Sequence, residues 1–189
     1  MQFWDPSTPN EEVMKLVGLL RPSMDVLDMG ANEGRHAIAL AERGCQVVAV
    51  EPNHEAFGRL KQNVDEMPGQ ITAIEDNLLT YQPDRLFDAV ICTMVLHFFP
   101  ATEIKPALEK MQAWTRPGGY HVISGYSDKN PPGKRPYLFG HNELSGYYDG
   151  WKIISYEEKP TPWFRYPAGT EPRRNEAVYL IAQKGPTVQ

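Results

Sequence analysis

The sequence predicts an α/β fold, with a mostly parallel sheet and helices packed on both of its faces. Short apolar runs of strand length alternate with longer stretches of helical apolar spacing along most of the 189 residues. Three successive runs also end in acidic residues, at Asp28, Glu51 and Asp76. Because the carboxyl ends of parallel strands share one edge of the sheet, we expect these side chains to lie in a common cleft.

Each element is predicted from apolar spacing and from the capping, glycine and proline residues that separate the runs. The first helix begins after capping residues at 7–12 and is ended by Pro22; the other predicted helices cover 35–43, 54–66, 101–114 and 142–148. The predicted strands cover 25–29, 46–51, 71–74, 87–93, 120–124, 151–156 and 177–182. The long proline-rich connection between the last two strands favours an antiparallel pair.

A glycine turn follows the first strand, with Gly30 and Gly34 in the frame D-x-G-x-x-x-G. Such a turn before a helix stacks backbone N–H groups, which bind polar or anionic parts of a ligand. The frame lacks the G-x-G-x-x-G spacing of a dinucleotide-binding turn, so an NAD-dependent reductase is disfavoured. A βα turn without any ligand is the alternative interpretation.

The composition excludes other classes of function. A net charge of −5 and the lack of a basic stripe disfavour nucleic-acid binding. No apolar run approaches the roughly 20 residues of a membrane span, and no signal peptide is evident at the N-terminus. Cys45 and Cys92 lack metal-ligand spacing and suit buried thiols on strands, in a reducing compartment. We therefore expect one cytoplasmic domain over 1–189, a monomer or homodimer, without metal, nucleic-acid or membrane partners.

The order of elements and several motifs together resemble the class I S-adenosylmethionine-dependent methyltransferases. The motifs are the glycine turn, Glu51, Asp76-Asn77, Phe87-Asp88 and Arg116-Pro117-Gly118-Gly119. The family's first motif reads D/E-x-G-x-G-x-G, and Asn32 replaces its middle glycine; Asn enters positive φ at modest cost. The resemblance implies a Rossmann-like fold with a mostly parallel seven-stranded sheet and an antiparallel last strand. It also implies S-adenosylmethionine as cofactor and a small molecule as methyl acceptor.

A closer similarity is to the tellurite-resistance methyltransferases. It rests on Gly34-Arg35, Thr93-Met94-Val95-Leu96, Pro117-Gly118-Gly119-Tyr120 and, most specifically, Leu144-x-x-Tyr147-Tyr148-x-Gly150-Trp151. That family carries a His-Arg pair and a later Arg between the last two strands, where this chain has Phe164-Arg165 and then Arg173 or Arg174. The missing histidine leaves a tellurite or selenite oxyanion, a small organic or thiol substrate, and a non-catalytic cofactor-binding protein as alternatives.

The resemblance implies roles for the residues of the glycine turn. Gly30, Asn32 and Gly34 would bring the backbone against the methionine part of the cofactor. Asp28 would orient the turn and meet the amino group, directly or through water. Arg35, next to the last glycine, belongs to the same group of cofactor-binding candidates.

Further cofactor contacts are implied at the next two strand ends. Glu51, followed by Pro52, would accept hydrogen bonds from both ribose hydroxyls, because a carboxylate is an acceptor-only group. Asp76 with Asn77 would hold the adenine edge. Glu75 is the alternative to Asp76 if the strand runs one residue differently.

The methyl-transfer side of the site is less defined by the sequence. By resemblance, Thr93 would lie beside the sulfonium. His97 is the candidate general base for a hydroxyl or amine acceptor, with a packed histidine in an apolar run as the alternative. Arg165 and Arg173 are the candidate catalytic cations, because guanidinium groups bind anions in a bidentate way. Ordinary surface charge on a solvated loop is the alternative for these arginines and for Arg174.

Three segments are expected to lie over this site. The first is the N-terminal helix and flap, 1–22, in which Trp4 would cover the cofactor. The second is the proline- and glycine-rich segment 127–141, which cannot continue a strand and follows a strand end. The third is the connection 159–176 between the last two strands.

Overall fold

The computed structural model describes residues 5–65, 67, 69–164 and 171–186. The strands are β1 Asp25–Met29, β2 Gln46–Val50, β3 Ile71–Ile74, β4 Phe87–Thr93, β5 Thr115–Tyr126, β6 Lys152–Pro160 and β7 Glu176–Gln183. The helices are α1 Glu11–Leu19, α2 Arg35–Glu42, α3 His54–Val64, α4 Ala101–Ala113 and α5 Glu143–Gly146, with a 3₁₀ turn at Leu96–Phe98.

The seven strands form one sheet in the order β3-β2-β1-β4-β5-β7-β6. Strands β1 to β5 pair in parallel, whereas β7 is antiparallel to both β5 and β6. The predicted sheet, with its antiparallel last strand, is confirmed. The strand order reverses between β1 and β4, and ligands of such sheets bind beyond the carboxyl ends of the strands that flank the reversal.

Helices cover both faces of the sheet, as predicted. Leu16 of α1, Leu40 of α2 and Leu60 of α3 are buried in one cluster, together with Val26 and Val122 of the sheet. The opposite face buries α4 and α5 in a second cluster. Among the described residues, no helix combines the length and the apolar character that crossing a membrane requires.

Charged side chains fix α1 against the end of the sheet that contains β6 and β7. The Lys159 ammonium lies 3.0 Å from the buried Glu12 carboxylate and 2.9 Å from that of Glu157. It also lies 5.1 Å from the centre of the Tyr179 ring. Because a buried carboxylate is costly unless it is paired, Lys159 stabilises Glu12 where α1 packs on the sheet.

Several predicted bounds are wrong for identifiable reasons. β5 begins at Thr115 rather than 120. Residues 116–119 continue the strand, and the pairing of β5 with β4 shifts register across them. β6 and β7 pair from Lys152 to Pro160, so both ends of the predicted 159–176 loop belong to strands. The helix predicted over 142–148 is the single turn α5. Cys45 is buried one residue before β2 rather than on a strand.

An ion-pair cluster joins the amino ends of β1, β4 and β5. Arg116 Nη1 lies 2.8 Å from Asp88 Oδ2, and Nη2 lies 3.0 Å from Asp25 Oδ2. The Asp25 backbone N–H donates to Asp88 Oδ2 at 2.9 Å. Arg85 Nε adds a contact of 3.3 Å with Asp25 Oδ1. Asp25, Arg85, Asp88 and Arg116 are therefore all joined in ion pairs at this edge.

Candidate functional site

The glycine turn after β1 has the backbone that its residues predict. Gly30, Asn32 and Gly34 have φ angles of +75°, +50° and +92°. The N–H groups of Gly30 and Ala31 donate to the Val50 carbonyl at 2.8 and 3.0 Å, which ties the turn to β2. Val95, after β4, lies so close that a Cβ at Gly30 would be 2.3 Å from its Cγ2. The turn therefore sits at the strand-order reversal, where only glycine fits.

Glu51 is held by the backbone of the same turn. Its Oε2 accepts the Asn32 N–H at 2.8 Å, and its Oε1 accepts the Asn53 N–H at 2.9 Å. The residue is 7% exposed. Each carboxylate oxygen accepts one protein hydrogen bond and retains acceptor capacity for another. The group is thus oriented to accept two further hydrogen bonds, as a pair of neighbouring hydroxyls would supply.

Asp28 is an incompletely satisfied carboxylate at the end of β1. It is 1% exposed, and its Oδ2 has no hydrogen-bond partner among the described residues. Burial raises the pKa of Asp28 to about 7, with the Arg35 charge lowering it and the Glu51 charge raising it. Buried polar atoms in native proteins normally have partners, so this oxygen fits a site for a cationic ligand group such as an ammonium.

The first turn of α2 holds the chain that precedes α1. Arg35 Nη2 donates to Asn10 Oδ1 at 3.1 Å, and the Asn10 N–H donates to His36 Nε2 at 3.4 Å. Burial lowers the pKa of His36 to about 3, so the ring is neutral at pH 7 and its Nε2 can accept. The N-terminal segment is thereby joined to the glycine turn. Residues 1–4, with Trp4, lie outside the described part of the chain.

Asp76 and Asn77 build the turn after β3. Asp76 Oδ1 accepts the Asn77 N–H at 2.7 Å, and Asn77 Oδ1 accepts the Leu79 N–H at 2.9 Å. Glu75, the alternative to Asp76, has its Oε1 2.8 Å from His54 Nδ1. This strand end is next to Glu51, whose N–H donates to the Ile74 carbonyl at 3.0 Å. The adenine role of either acid stays a prediction.

Thr93 and Pro52 both lie at the carboxyl edge of the sheet, at the ends of β4 and β2. Thr93 is the half-buried last residue of β4 and is in register with Ser124 of β5. Pro52 is exposed directly after Glu51. Asp28 is in register with Ile91, two residues before Thr93, so Asp28 and Thr93 are on the same face of the sheet. The contacts of both residues with a cofactor stay predictions.

His97 is buried in aromatic surroundings. Its ring centre lies 4.3 Å from that of Phe98 and 4.5 Å from that of Tyr126. Burial, with a contribution from the Arg135 charge, lowers the pKa of His97 to about 3. A general base works best with a pKa near the working pH, so the base role, still a prediction, is disfavoured by this environment.

The candidate arginines belong to the connection between β6 and β7. Arg173 pairs with Phe164 through two backbone hydrogen bonds, of 2.8 and 3.0 Å. The guanidinium of Arg173 lies 5.3 Å from the Phe164 ring centre, and that of Arg174 lies 5.0 Å from the Trp163 ring centre. This hairpin extends from the carboxyl edge of β5, where Tyr126 pairs with β7. Arg165 lies outside the described residues.

The segment that carries the most specific sequence resemblance has a structural role. The Tyr148 hydroxyl lies 2.8 Å from His121 Nδ1, and the Trp151 ring centre is 4.6 Å from that of His121. Tyr147 donates to Glu143 Oε1 at 2.9 Å. Tyr148 is buried with α4 on the face of the sheet opposite α1 and α2. Its aromatic pattern therefore marks a packing motif rather than ligand contacts.

Two residues at the carboxyl edge were not singled out by the sequence analysis. Ser124 ends the apolar run of β5, and a polar residue at a strand end was the available signal. Its hydroxyl is buried without a partner among the described residues. Arg135 places its guanidinium 3.9 Å from the Tyr126 ring centre. Nothing in the local sequence distinguishes Arg135 from a surface cation.

Comparisons with known proteins agree with this architecture. The family model described as "Tellurite resistance protein TehB" matches residues 4–166. "Hemagglutinin 1" of Eikenella corrodens is 27% identical over 183 residues, covering 94% of this chain and 60% of that protein. The "Probable S-adenosyl-L-methionine-dependent methyltransferase TehB" of Haemophilus influenzae is 28% identical over 138 residues, covering 70% of this chain and 48% of that protein.

A solved structure extends the comparison to the fold. The crystal structure of TehB from Haemophilus influenzae superposes with a TM-score of 0.84 at 21% identity, covering 93% of this chain and 62% of that one. The chain thus spans about half to three fifths of the length of these relatives. The methyltransferase fold expected from the sequence is confirmed, and the chain belongs to the tellurite resistance protein TehB family.

Proposed function

We propose that this chain is an S-adenosylmethionine-dependent methyltransferase that acts on a small molecule with a lone-pair nucleophile. A tellurite- or selenite-type oxyanion is the acceptor that family membership favours, and a thiol is the second candidate. One observation carries the proposal: two buried carboxylates meet at the strand-order reversal. Asp28 has an oxygen without a partner among the described residues, and Glu51 is oriented by the backbone of the glycine turn.

The residues at this edge fit the parts of the cofactor. Glu51 would accept hydrogen bonds from the two ribose hydroxyls with its remaining acceptor capacity. Asp28 would pair with the ammonium of the methionine part, which satisfies its buried oxygen. The N–H groups of the turn 30–34, at the start of α2, suit the carboxylate of the same part. Arg35 links this region to the N-terminal segment through Asn10.

The remaining contacts follow the next strands along the sheet edge. Asp76 and Asn77, beside Glu51, would hold the adenine, and Pro52 would line its approach. Thr93, on the face of the sheet that carries Asp28, would lie beside the sulfonium. These assignments rest on the family resemblance and on the shared edge of β1 to β4.

When bound, S-adenosylmethionine would supply a methyl group activated by its sulfonium, for transfer to the acceptor's lone pair with the electron pair of the broken bond left on sulfur. The protein's contribution is alignment and exclusion of water, and positioning can supply about 7–11 kcal/mol. A soft acceptor atom with a lone pair and no proton to lose, such as reduced tellurium or selenium or a thiolate, needs no general base at attack. Such an acceptor suits a site whose candidate base, His97, is held neutral by burial, with a pKa of about 3.

The two connections after β5 and β6 would enclose the acceptor. Arg165 and Arg173 are proposed as its anion-binding groups from the 159–176 connection, which extends from the carboxyl edge of β5. The 127–141 segment would cover the same edge from the other side. Removal of Arg165 should raise the acceptor KM more than the cofactor Kd; equal effects on both would contradict this placement.

Two sets of measurements test the proposal. Calorimetric titration should show binding of S-adenosylmethionine and S-adenosylhomocysteine but not of NADH; a signal for NADH alone would contradict it. Formation of S-adenosylhomocysteine is then measured with tellurite, selenite, a thiol panel, and hydroxyl and amine controls. Turnover with an oxyanion or a thiol supports the proposal. Cofactor binding without turnover on any acceptor would favour the non-catalytic alternative.

We further infer that residues 1–189 fold as one domain and that the protein works in the cytoplasm. Cys45 and Cys92 are both free thiols and both buried, which suits a reducing compartment. One continuous sheet runs through the chain from β1 to β7. Fractionation of cells that express the native protein should recover it with cytoplasmic markers, and recovery with membranes or in the medium would contradict this location.

A further inference from the structure

Two buried polar atoms at the ends of β4 and β5 lack the partners that buried polar groups normally have. Ser124 is 1% exposed and His97 is 2% exposed. Neither Ser124 Oγ nor His97 Nδ1 has a hydrogen-bond partner in the described part of the chain. An unsatisfied buried donor or acceptor costs free energy, and such atoms cluster where a ligand completes the bonding.

These atoms belong to one wall of the cleft. Val122, Ser124 and Tyr126 are two residues apart along β5, so their side chains are on the same face of the sheet. Val122 is buried in the cluster with α1 and α2, so this is the face that those helices cover. Ser124 is in register with Thr93. The His97 ring centre lies 4.5 Å from that of Tyr126, which places the histidine against the same wall.

Arg135 brings a positive charge to this wall. Its guanidinium carbon lies 3.9 Å from the Tyr126 ring centre. Its charge contributes to the lowered pKa of His97. The arginine forms no ion pair with any carboxylate among the described residues. A guanidinium stacked on an aromatic ring keeps its in-plane N–H groups free for bidentate contacts with an oxyanion.

The segment that carries Arg135 is anchored on both sides. Glu158 of β6 accepts from Lys129 Nζ at 3.0 Å and from the Asn142 N–H at 2.8 Å. Glu143 accepts from the hydroxyl of Tyr137 and from the Gly140 N–H. The anchors hold Arg135 at the cleft, so little ordering of this segment is needed when a ligand binds.

We propose that Arg135, Ser124 and His97 form one wall of the acceptor subsite, in addition to the arginines of the 159–176 connection, and that they recognise an oxyanion group on the acceptor. Arg135 supplies the charge, and the serine hydroxyl and the neutral imidazole supply hydrogen bonds to the anion's oxygens. An inorganic chalcogen oxyanion and the carboxylate of a small organic thiol share this chemistry. The inference deepens the proposed function and rests on it.

The test measures anion binding to the protein saturated with S-adenosylhomocysteine, by calorimetry. The probes are selenite, tellurite, mercaptoacetate and the uncharged 2-mercaptoethanol. Arg135→Gln should weaken binding of the anionic probes at least tenfold and leave S-adenosylhomocysteine affinity within twofold. The matched control, Lys134→Gln, removes the neighbouring exposed charge and should change both affinities by less than twofold.

A second variant separates a ligand role from a structural one. Ser124→Ala removes a buried hydroxyl that has no described partner, so it should leave the melting temperature unchanged or raise it while weakening anion binding at least threefold. A structural serine would instead lower the melting temperature. Lower stability with unchanged anion affinity would remove Ser124 from the subsite.

The outcomes distinguish this inference from the proposed function. Normal S-adenosylhomocysteine binding with no affinity for any anionic probe would overturn the subsite alone, as would equal losses in Arg135→Gln and Lys134→Gln. Absence of S-adenosylhomocysteine binding would overturn the proposed function and the subsite together. Binding of selenite or tellurite but not mercaptoacetate assigns an inorganic acceptor, and the reverse pattern assigns an organic acid.

Discussion

In the part of the chain that the structure describes, polar side chains are paired at the amino edge of the parallel strands, whereas some at the carboxyl edge have buried atoms without partners, and β1 shows both cases. Asp25, at its amino end, is paired with Arg116 at 3.0 Å. Asp28, three residues later, is buried with an oxygen that has no partner among the described residues. At the end of β5, Ser124 repeats the pattern of Asp28. One edge is thus satisfied by the protein itself, and the other is left for a ligand to complete.

The largest expected effect is a loss of stability, seen when a glycine from the carboxyl edge is replaced and compared with one from the amino edge. Gly30→Ala should lower the free energy of unfolding by about 2–5 kcal/mol, since a left-handed backbone and a clash with Val95 Cγ2 at 2.3 Å both oppose the new methyl group. Gly118→Ala, at the amino edge, meets nothing within 4 Å and should cost only the backbone strain, about 1–2 kcal/mol.

Chemical denaturation of both variants measures the difference, and calorimetry measures their affinity for S-adenosylhomocysteine. Gly30→Ala should lose binding of S-adenosylhomocysteine because the glycine turn is distorted. Gly118→Ala should keep an affinity for S-adenosylhomocysteine within twofold of the parent. Equal losses of stability in the two variants would show that the crowding at Gly30 has no energetic consequence.

The next effect concerns the pH dependence of stability. The pKa of Asp28 is raised to about 7, so the folded state holds this proton more tightly than the unfolded state. The stabilisation of the folded state by this bound proton is fully present below the ordinary pKa of 3.8 and is lost as pH rises through about 7. Between pH 5 and 8 the parent should therefore lose about 2–3 kcal/mol of stability relative to Asp28→Asn.

Urea denaturation of the two proteins at several pH values gives this difference directly. Asp28 must also ionise to pair with an ammonium, so the affinity for S-adenosylhomocysteine should rise with pH through about 7 in the parent and stay flat in Asp28→Asn. Parallel stability curves for the two proteins would show that Asp28 is ionised throughout this range.

The smallest effect on stability is expected at the amino edge. Arg116→Met removes contacts with Asp25 and Asp88 and should cost about 1–2 kcal/mol, because the arginine is 37% exposed and water screens the pairs. Cofactor affinity should stay within twofold. Lys105→Met, which removes an exposed pair with Glu109 at 3.8 Å, is the control and should cost less than about 0.5 kcal/mol.

Denaturation and calorimetry on the same preparations check both parts of this prediction. A loss of cofactor affinity in Arg116→Met that matches its loss of stability would mean that the two edges are not independent. The contrast between a structural edge and a ligand-binding edge would then be wrong.

The sequence predicts the carboxyl edge of β1 and β2 well because that part is encoded locally. Asp28, Gly30 and Asn32 are within five residues of one another, and the positive φ angles of Gly30 and Asn32 follow from residue type. Glu51 ends its own apolar run and contacts the turn because parallel strands share an edge.

The acceptor side depends on contacts that no local pattern encodes. Arg135 reaches Tyr126 from the 127–141 segment, and His97 packs on the same ring from the 3₁₀ turn after β4. The Tyr147-Tyr148 motif carries the most specific family resemblance. In the structure, Tyr148 contacts buried His121, so it packs in the core. The sequence also placed a turn before β5, where the strand itself continues through residues 116–119 with a shift in register.

The most direct test is the affinity of Glu51→Gln for S-adenosylhomocysteine, measured by calorimetry beside the parent and Arg116→Met. Glutamine keeps the size of the side chain, but it loses the charge and offers only one acceptor oxygen where Glu51 accepts from both Asn32 and Asn53. The account predicts at least tenfold weaker binding, or about 1.4 kcal/mol, with Arg116→Met unchanged. Equal affinity in the parent and Glu51→Gln would contradict the claim that this edge binds the cofactor.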